Sequence, residues 1–153
     1  MTEDHRPKLV GLNHIALEVG DVDAALAFYE KIFRFELRGD HRNDAGRRVM
    51  AFIDMGDQFL ALNETDDTTR DGHRHFGLVV EDREDVMALA EAAGAALVEG
   101  SSNNFRDLWG NRIEIVAYRD IQFSKTAPVL EAMGVDPRKT DAAQKQLADK
   151  DMF

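Results

Sequence analysis

The sequence predicts an α+β fold made of two βαβββ modules in tandem, followed by a short helical C-terminal tail. Two observations predict it. The first is an internal repeat: Asn13-His14-Ile15-Ala16-Leu17-Glu18-Val19 returns as His75-Phe76-Gly77-Leu78-Val79-Val80. Overlaid without a gap, His14 falls on His75, Leu17 on Leu78, Val19 on Val80, Asp21 on Asp82, Leu26 on Met87, Ala27 on Ala88 and Glu30 on Glu91, and the match runs on to Leu37 over Val98. The second is the order of periodicities. In each half an alternating strand gives way to an acidic cap, then a helix with apolar residues three and four apart, then three more strand-like runs. A repeat half a domain long is a duplication, not a solenoid, and it sets two histidines at equivalent strand positions.

Residues 1–8 are polar and read as a loose lead-in, with His5 solvated. The first strand is expected over 9–19, with Leu12, His14, Ala16 and Glu18 on one face. Asp21 suits a helix N-cap, and Asp23 lies in the first turn, near the positive end of the helix dipole. Ala25, Leu26, Phe28, Tyr29, Ile32 and Phe33 form the apolar stripe. Strands follow over 35–38, 48–55 and 58–62. The polar run 39–46 reads as a turn or long hairpin loop carrying a solvated His41, and Gly56-Asp57 as a hairpin turn. Module one is thus 9–62, and the acidic, threonine-rich stretch 63–72 is a linker. Module two, 73–118, repeats the plan. Its strand over 73–80 leads to an Asp82 cap and a helix on Val86, Met87, Leu89 and Ala90 that Gly94 stops. Strands over 95–98, 105–108 and 112–118 complete it, separated by the loop 99–104 and the turn Trp109-Gly110-Asn111. The tail, 119–153, lies outside the repeat. Thr126 with Pro128 starts a short helix that Gly134 ends, and 142–149 forms a second with a thin apolar face. The whole of 1–153 reads as a single domain.

Composition narrows the function. Lys and Arg number 19 against 29 Asp and Glu, a formal charge of -10, which repels phosphate backbones and anionic lipid. Nucleic acid and membrane surfaces are therefore not expected partners. The absence of cysteine rules out disulfides and thiolate metal sites. No apolar run approaches the roughly 18 residues of a membrane span, and the N-terminus lacks a signal-peptide core. The expectation is a soluble cytoplasmic protein.

Three residues stand out as potential metal ligands: His14, His75 and Glu114. The two histidines are symmetry mates near strand starts. Glu114 interrupts the apolar run Ile113-Glu114-Ile115-Val116, where a carboxylate must face water, a cation or a metal. Two imidazoles and one carboxylate on three strands resemble a facial triad that leaves coordination positions open. The imidazoles must be neutral to bind, so occupancy weakens on acidification. A strand histidine is otherwise a packed, hydrogen-bonded residue, and an alternating-strand glutamate a solvent-facing one. His73 competes with His75 by period two, but only His75 aligns with His14.

The stretches Gly11-Leu12-Asn13-His14-Ile15-Ala16-Leu17, Ala27-Phe28-Tyr29-Glu30-Lys31, His75-Phe76-Gly77-Leu78-Val79-Val80 and Asp107-Leu108-Trp109-Gly110-Asn111-Arg112-Ile113-Glu114-Ile115 resemble the vicinal oxygen chelate superfamily over residues 9–118. That group holds glyoxalase I, extradiol dioxygenases, methylmalonyl-CoA epimerase, fosfomycin-resistance transferases and bleomycin-resistance proteins. The resemblance implies paired modules curled into a cupped mixed sheet around a divalent metal (Fe, Mn, Ni, Co or Zn). It implies His14, His75 and Glu114 as its ligands and a small substrate that chelates through neighbouring oxygens. It also implies a homodimer, in which one site sometimes takes ligands from two chains. The reaction implied is of lyase, isomerase or dioxygenase type, with catalytic residues beyond the ligands unknown. The fourth ligand of glyoxalase I falls on Ala61, or on Leu60 if the register shifts, and neither can coordinate; Glu64 lies just beyond. For ring cleavage, only Tyr118 and His73 offer acid-base groups nearby. For fosfomycin transfer, Ala16 stands where a threonine is usual, and the loop 99–104 is short. The alternative from another class is a non-catalytic drug-sequestering protein; such members lack the ligands, whereas this chain keeps the trio. A structural role would need the trio buried as an ordinary hydrogen-bonded network.

Overall fold

A computed structural model describes residues 12, 14–56, 58–121, 125–149 and 151. The expected repeat is realised twice. Module one runs β1 (His14–Val19), α1 (Val22–Glu30), β2 (Leu37–Arg42), β3 (Arg48–Asp54) and β4 (Phe59–Glu64). Module two runs β5 (Phe76–Val80), α2 (Arg83–Ala92), β6 (Ala96–Leu97), β7 (Asn104–Arg106) and β8 (Arg112–Ala117). The sheets have the same order, β1-β4-β3-β2 and β5-β8-β7-β6. In each, the first strand lies parallel to the last and the other pairs are antiparallel.

Alternation sorts each sheet into a buried and an open face. Leu17, Val19, Ala51, Ile53, Leu60 and Leu62 point from the first sheet toward Val22, Ala25, Leu26, Phe28 and Tyr29 of α1. Phe105, Ile113 and Ile115 do the same in the second sheet, against Val86 and Ala90 of α2, and one apolar cluster joins both modules. Burying each large side chain contributes about 1.5–3 kcal/mol. Asp21 and Asp82 cap the helices as expected, accepting from Ala24 N at 2.7 Å and Asp85 N at 2.9 Å. In the tail, α3 (Ala127–Met133) ends at Gly134, and α4 (Asp141–Ala148) buries Ala143 and Leu147.

A polar knot ties the modules together. Asp107, in the β7–β8 turn, is buried, and its Oδ2 accepts from Tyr29 Oη at 2.7 Å and from Asn111 Nδ2 at 2.8 Å. Its Oδ1 accepts from the backbone N–H groups of Trp109 at 2.9 Å and Asn111 at 3.0 Å. Asn111 Nδ2 also reaches the carbonyl of Glu18 in β1, at 2.9 Å. The Trp109 indole lies against Gly20, where an added Cβ would stand 2.6 Å from Nε1. Gly110 is at φ +90, and a Cβ there would meet Arg70 Cα at 2.7 Å.

Four expectations need correction. The second strand is not 35–38 but Leu37–Arg42, so His41 stands in a strand rather than a loop. It is an edge strand with no fully buried face, so its residues carry no apolar alternation. β4 continues two residues past the expected end, to Glu64. β5 starts at Phe76, which leaves His73 and His75 just ahead of it. Tyr118 lies past β8 in a 3-10 turn, buried, with Lys139 Nζ 3.4 Å from its ring centroid. It therefore does not share a strand face with Glu114.

Two substitutions test the knot. Gly20→Ala cannot keep the Trp109 contact and should destabilise by about 1–3 kcal/mol in urea denaturation. Tyr29→Phe removes a hydrogen bond to a carboxylate and should cost about 1.5–3 kcal/mol near neutrality. Burial, with Asp107 beside it, raises the Tyr29 hydroxyl well above the ordinary tyrosine pKa. A pKa raised by folding contributes stability that is full below about pH 10 and is lost as pH climbs through the folded value. The gap between wild type and Tyr29→Phe should therefore shrink above that pH; a gap constant with pH would contradict the assignment.

Candidate metal centre

The open face of the second sheet carries two of the three expected ligand residues. Gly77 pairs with Glu114 across β5 and β8, so His75, two residues ahead of Gly77, lies on the same face as the carboxylate. His75 Nε2 is 3.3 Å from Glu114 Oε2. The other ring nitrogen, Nδ1, is 2.8 Å from the carbonyl oxygen of His73. A carbonyl can only accept, so Nδ1 holds the proton, and in the neutral ring Nε2 presents a lone pair. A lone pair then faces a carboxylate oxygen. Two acceptors at this distance are stable together only with a positive charge between them, a proton or a cation. Neighbouring donors on one ion with bonds of about 2.1 Å stand roughly 3–3.4 Å apart, so the pair fits a divalent metal. Both side chains remain partly exposed, within reach of a small molecule.

Glu114 is held from its other side. Asn103 Nδ2 donates to Oε1 at 3.0 Å. The carboxamide of Asn103 is itself fixed, its Oδ1 accepting from Ser101 Oγ and Asn104 Nδ2, each at 3.1 Å. Nothing in the sequence pattern singled out Asn103; only the loop that carries it was visible.

His14 opens β1 on the open face of the first sheet, stacked on Phe59 with ring centroids 4.6 Å apart. It lines a small cleft of about 60 Å³ together with Phe59, Phe76 and Gly77. The structure thus brings His75 and Glu114 together, while among the described residues no three His, Asp or Glu side chains gather as a metal-holding group within one chain. The same open face carries a row that sequence reasoning missed. Phe59 meets Phe52 edge-on at 5.6 Å, and Phe52 meets His41 edge-on at 5.6 Å. The signal lay in period two along β3 and β4, hidden by placing His41 in a loop.

The register also settles the fourth-ligand position. Ala16 is the repeat mate of Gly77 and pairs with Ala61, as Gly77 pairs with Glu114. Ala61 is thus the counterpart of Glu114 and offers no donor atom. Glu64 lies one residue off that face, and its carboxylate pairs with Arg47, Nη2 to Oε1 at 2.6 Å.

The model of the Glyoxalase/Bleomycin resistance protein/Dioxygenase superfamily matches residues 11–122. The chain belongs to that superfamily. Metallothiol transferase FosB from Bacillus licheniformis is 28% identical over 78 residues, 48% of this chain and 47% of that relative. The chain therefore matches about half the length of this curated relative. Among solved structures, the superfamily fold is shared with the fosfomycin resistance protein FosX from Listeria monocytogenes, at TM-score 0.60 and 23% identity, covering 72% of this chain and 93% of that one. One FosX structure is a complex with Mn(II) and a dihydroxypropylphosphonic acid. TioX from Micromonospora sp. ML1 aligns at TM-score 0.51 and 22% identity, covering 69% of this chain and 97% of that one. Among the described residues no helix is long and apolar enough to cross a membrane.

Replacing Glu114 by Gln tests the facing acceptors. The Gln amide donates to Nε2 while its carbonyl keeps the Asn103 bond. At about pH 8, where an imidazole is ordinarily neutral, the metal-free variant should melt no lower than wild type and up to a few degrees higher, a gain of about 1 kcal/mol or less. A clearly lower melting point in EDTA would show that a stabilising hydrogen bond had been removed instead.

Proposed function

We propose that the chain is a divalent-metal-dependent enzyme acting on a small substrate that binds through two neighbouring oxygens, with His14, His75 and Glu114 as the protein donors. The observation that carries this is the approach of two atoms of metal-ligand type on one open sheet face, His75 Nε2 and Glu114 Oε2 at 3.3 Å, with Nδ1 of the same ring turned to the His73 carbonyl. Superfamily membership supports the same reading, as does the Mn(II) complex of the similar FosX fold. A bound divalent ion would supply Lewis acidity where negative charge develops on substrate oxygen. The chain's own residues prepare that place. The His73 carbonyl fixes the His75 ring and its tautomer, which turns Nε2 toward the open face. Glu114 contributes one oxygen and a full negative charge. Ala61 leaves the fourth position to solvent or substrate, which separates this site from the four-ligand arrangement of glyoxalase I.

The third donor, His14, comes from a second copy of the chain in this reading. Its side chain lies on the open face of the first sheet, the pair lies on the open face of the second, and the trio does not gather within one described chain. A two-fold dimer that sets the first sheet of one protomer against the second sheet of its partner builds two equivalent sites.

Two measurements test these statements. Elemental analysis after loading with Mn, Fe, Ni, Co or Zn should return about one ion per chain, and His75→Ala or Glu114→Ala should abolish it; a wild-type protein that binds none of the five refutes the reading. Co-refolding His14→Ala with Glu114→Ala chains should restore about a quarter of the wild-type sites through mixed dimers, since each mixed dimer rebuilds one site of two. A site contained within one chain restores none.

A further inference from the structure

We infer that Asn103 is the positioning residue for Glu114, and that the loop between β6 and β7, residues 98–103, serves with Asn104 as a clamp on this ligand. The inference rests on the reading of His75 and Glu114 as metal donors and adds a residue to it. Asn103 is anchored twice. Its backbone carbonyl accepts from Ile115 N at 2.7 Å, next to Glu114 in β8. Its side-chain oxygen accepts from Ser101 Oγ and Asn104 Nδ2. With two donors on that oxygen, the orientation of the carboxamide is fixed, and Nδ2 must point at Glu114 Oε1. Asn104 is anchored in turn: its Nδ2 also reaches Ser101 Oγ at 3.0 Å, and its Oδ1 accepts from Arg112 Nε at 3.0 Å.

Two consequences follow for the metal. With Oε1 engaged by Asn103, Oε2 is the oxygen left facing His75 Nε2, so Glu114 donates through one oxygen. The clamp is also neutral. An amide orients a carboxylate without cancelling its charge, whereas a guanidinium would compete with the ion. Arg112 stands on the same strand face as Glu114, two residues away, yet its guanidinium is turned to Asn104 Oδ1 and to the Gly72 carbonyl at 2.8 Å. The polar side chains Ser101, Asn103 and Asn104 are thus committed to one another and to Glu114, not presented to a ligand of their own.

Outer partners of this kind change metal affinity by about 10–100-fold. The test titrates the full-length protein with Mn(II), reading free ion by electron paramagnetic resonance, alongside melting of the metal-free protein. Glu114→Ala should lose binding. Asn103→Ala should bind about tenfold or more weakly, with a changed spectrum of the bound ion and a melting point close to wild type. Ser101→Ala, which keeps the amide but removes one of its two orienting donors, should fall between and carries the test if Asn103→Ala does not fold. Asn103→Ala and Ser101→Ala within about twofold of wild type, while Glu114→Ala binds nothing, would overturn the clamp and leave the metal centre standing. Wild-type protein that binds no Mn(II), Fe, Ni, Co or Zn would instead remove the metal centre itself, and the clamp with it.

Discussion

The carboxylate of Asp107 holds the two modules in one arrangement. It is buried and accepts four hydrogen bonds, one of them from Tyr29 in the opposite module. Burial raises its pKa, and the bonds from Asn111, Tyr29 and the two backbone amides pull the other way without cancelling the rise. A buried charge persists in a core only when its lone pairs are matched in this way. Through Asn111 the same knot grips the Glu18 carbonyl in β1, and through Trp109 it packs the turn onto Gly20. The β7–β8 turn is thereby docked on the β1–α1 connection. β8, which carries Glu114, leaves that turn within a few residues, so the position of this carboxylate depends on a contact between modules.

This divides the residues that carry the family resemblance into two kinds. Tyr29, Asp107, Trp109 and Asn111 join the modules. His14, His75 and Glu114 are the donors of the proposed metal site. In this chain the run Asp107 to Ile115 serves both parts at once. Its first half fixes where the strand starts, and its second half presents the acid.

Period two and the offset of 61 residues between His14 and His75 made most of the architecture legible in the sequence. They gave the order of elements, the helix caps and the equivalence of the two first strands. The family resemblance left Ala61 or Leu60 as the counterpart of Glu114 in module one, and the strand register selects Ala61. What stayed hidden has physical causes. β2 lies at a sheet edge with both faces partly open, so its residues show no apolar alternation and His41 read as a loop residue. Asn103 was invisible because its role depends on the rotamer of a carboxamide set by Ser101 and Asn104, a fact of geometry that no spacing records. The separation of His14 from the pair was equally unreadable, since strand position does not say which sheet faces which, nor from which chain.

The two halves of the duplication have diverged at matched positions. In module two, Glu114 is flanked in the sheet by Gly77 on β5 and Asn104 on β7. The matching places in module one hold Ala61, flanked by Ala16 and Phe52. Where module two has an acid with an amide beside it, module one has a methyl group with an aromatic ring beside it. No polar network lies at that place among the described contacts, and the row of His14, Phe59, Phe52 and His41 stands there. A ligand without its outer partner binds loosely, and an outer partner without its ligand is an unsatisfied polar group, so a half without the acid has no use for the network. On these faces module one therefore presents imidazoles alone, His14 and His41, whereas module two presents His75 beside a carboxylate. A set of three protein donors leaves coordination positions open, which is what a substrate arriving with two oxygens of its own requires.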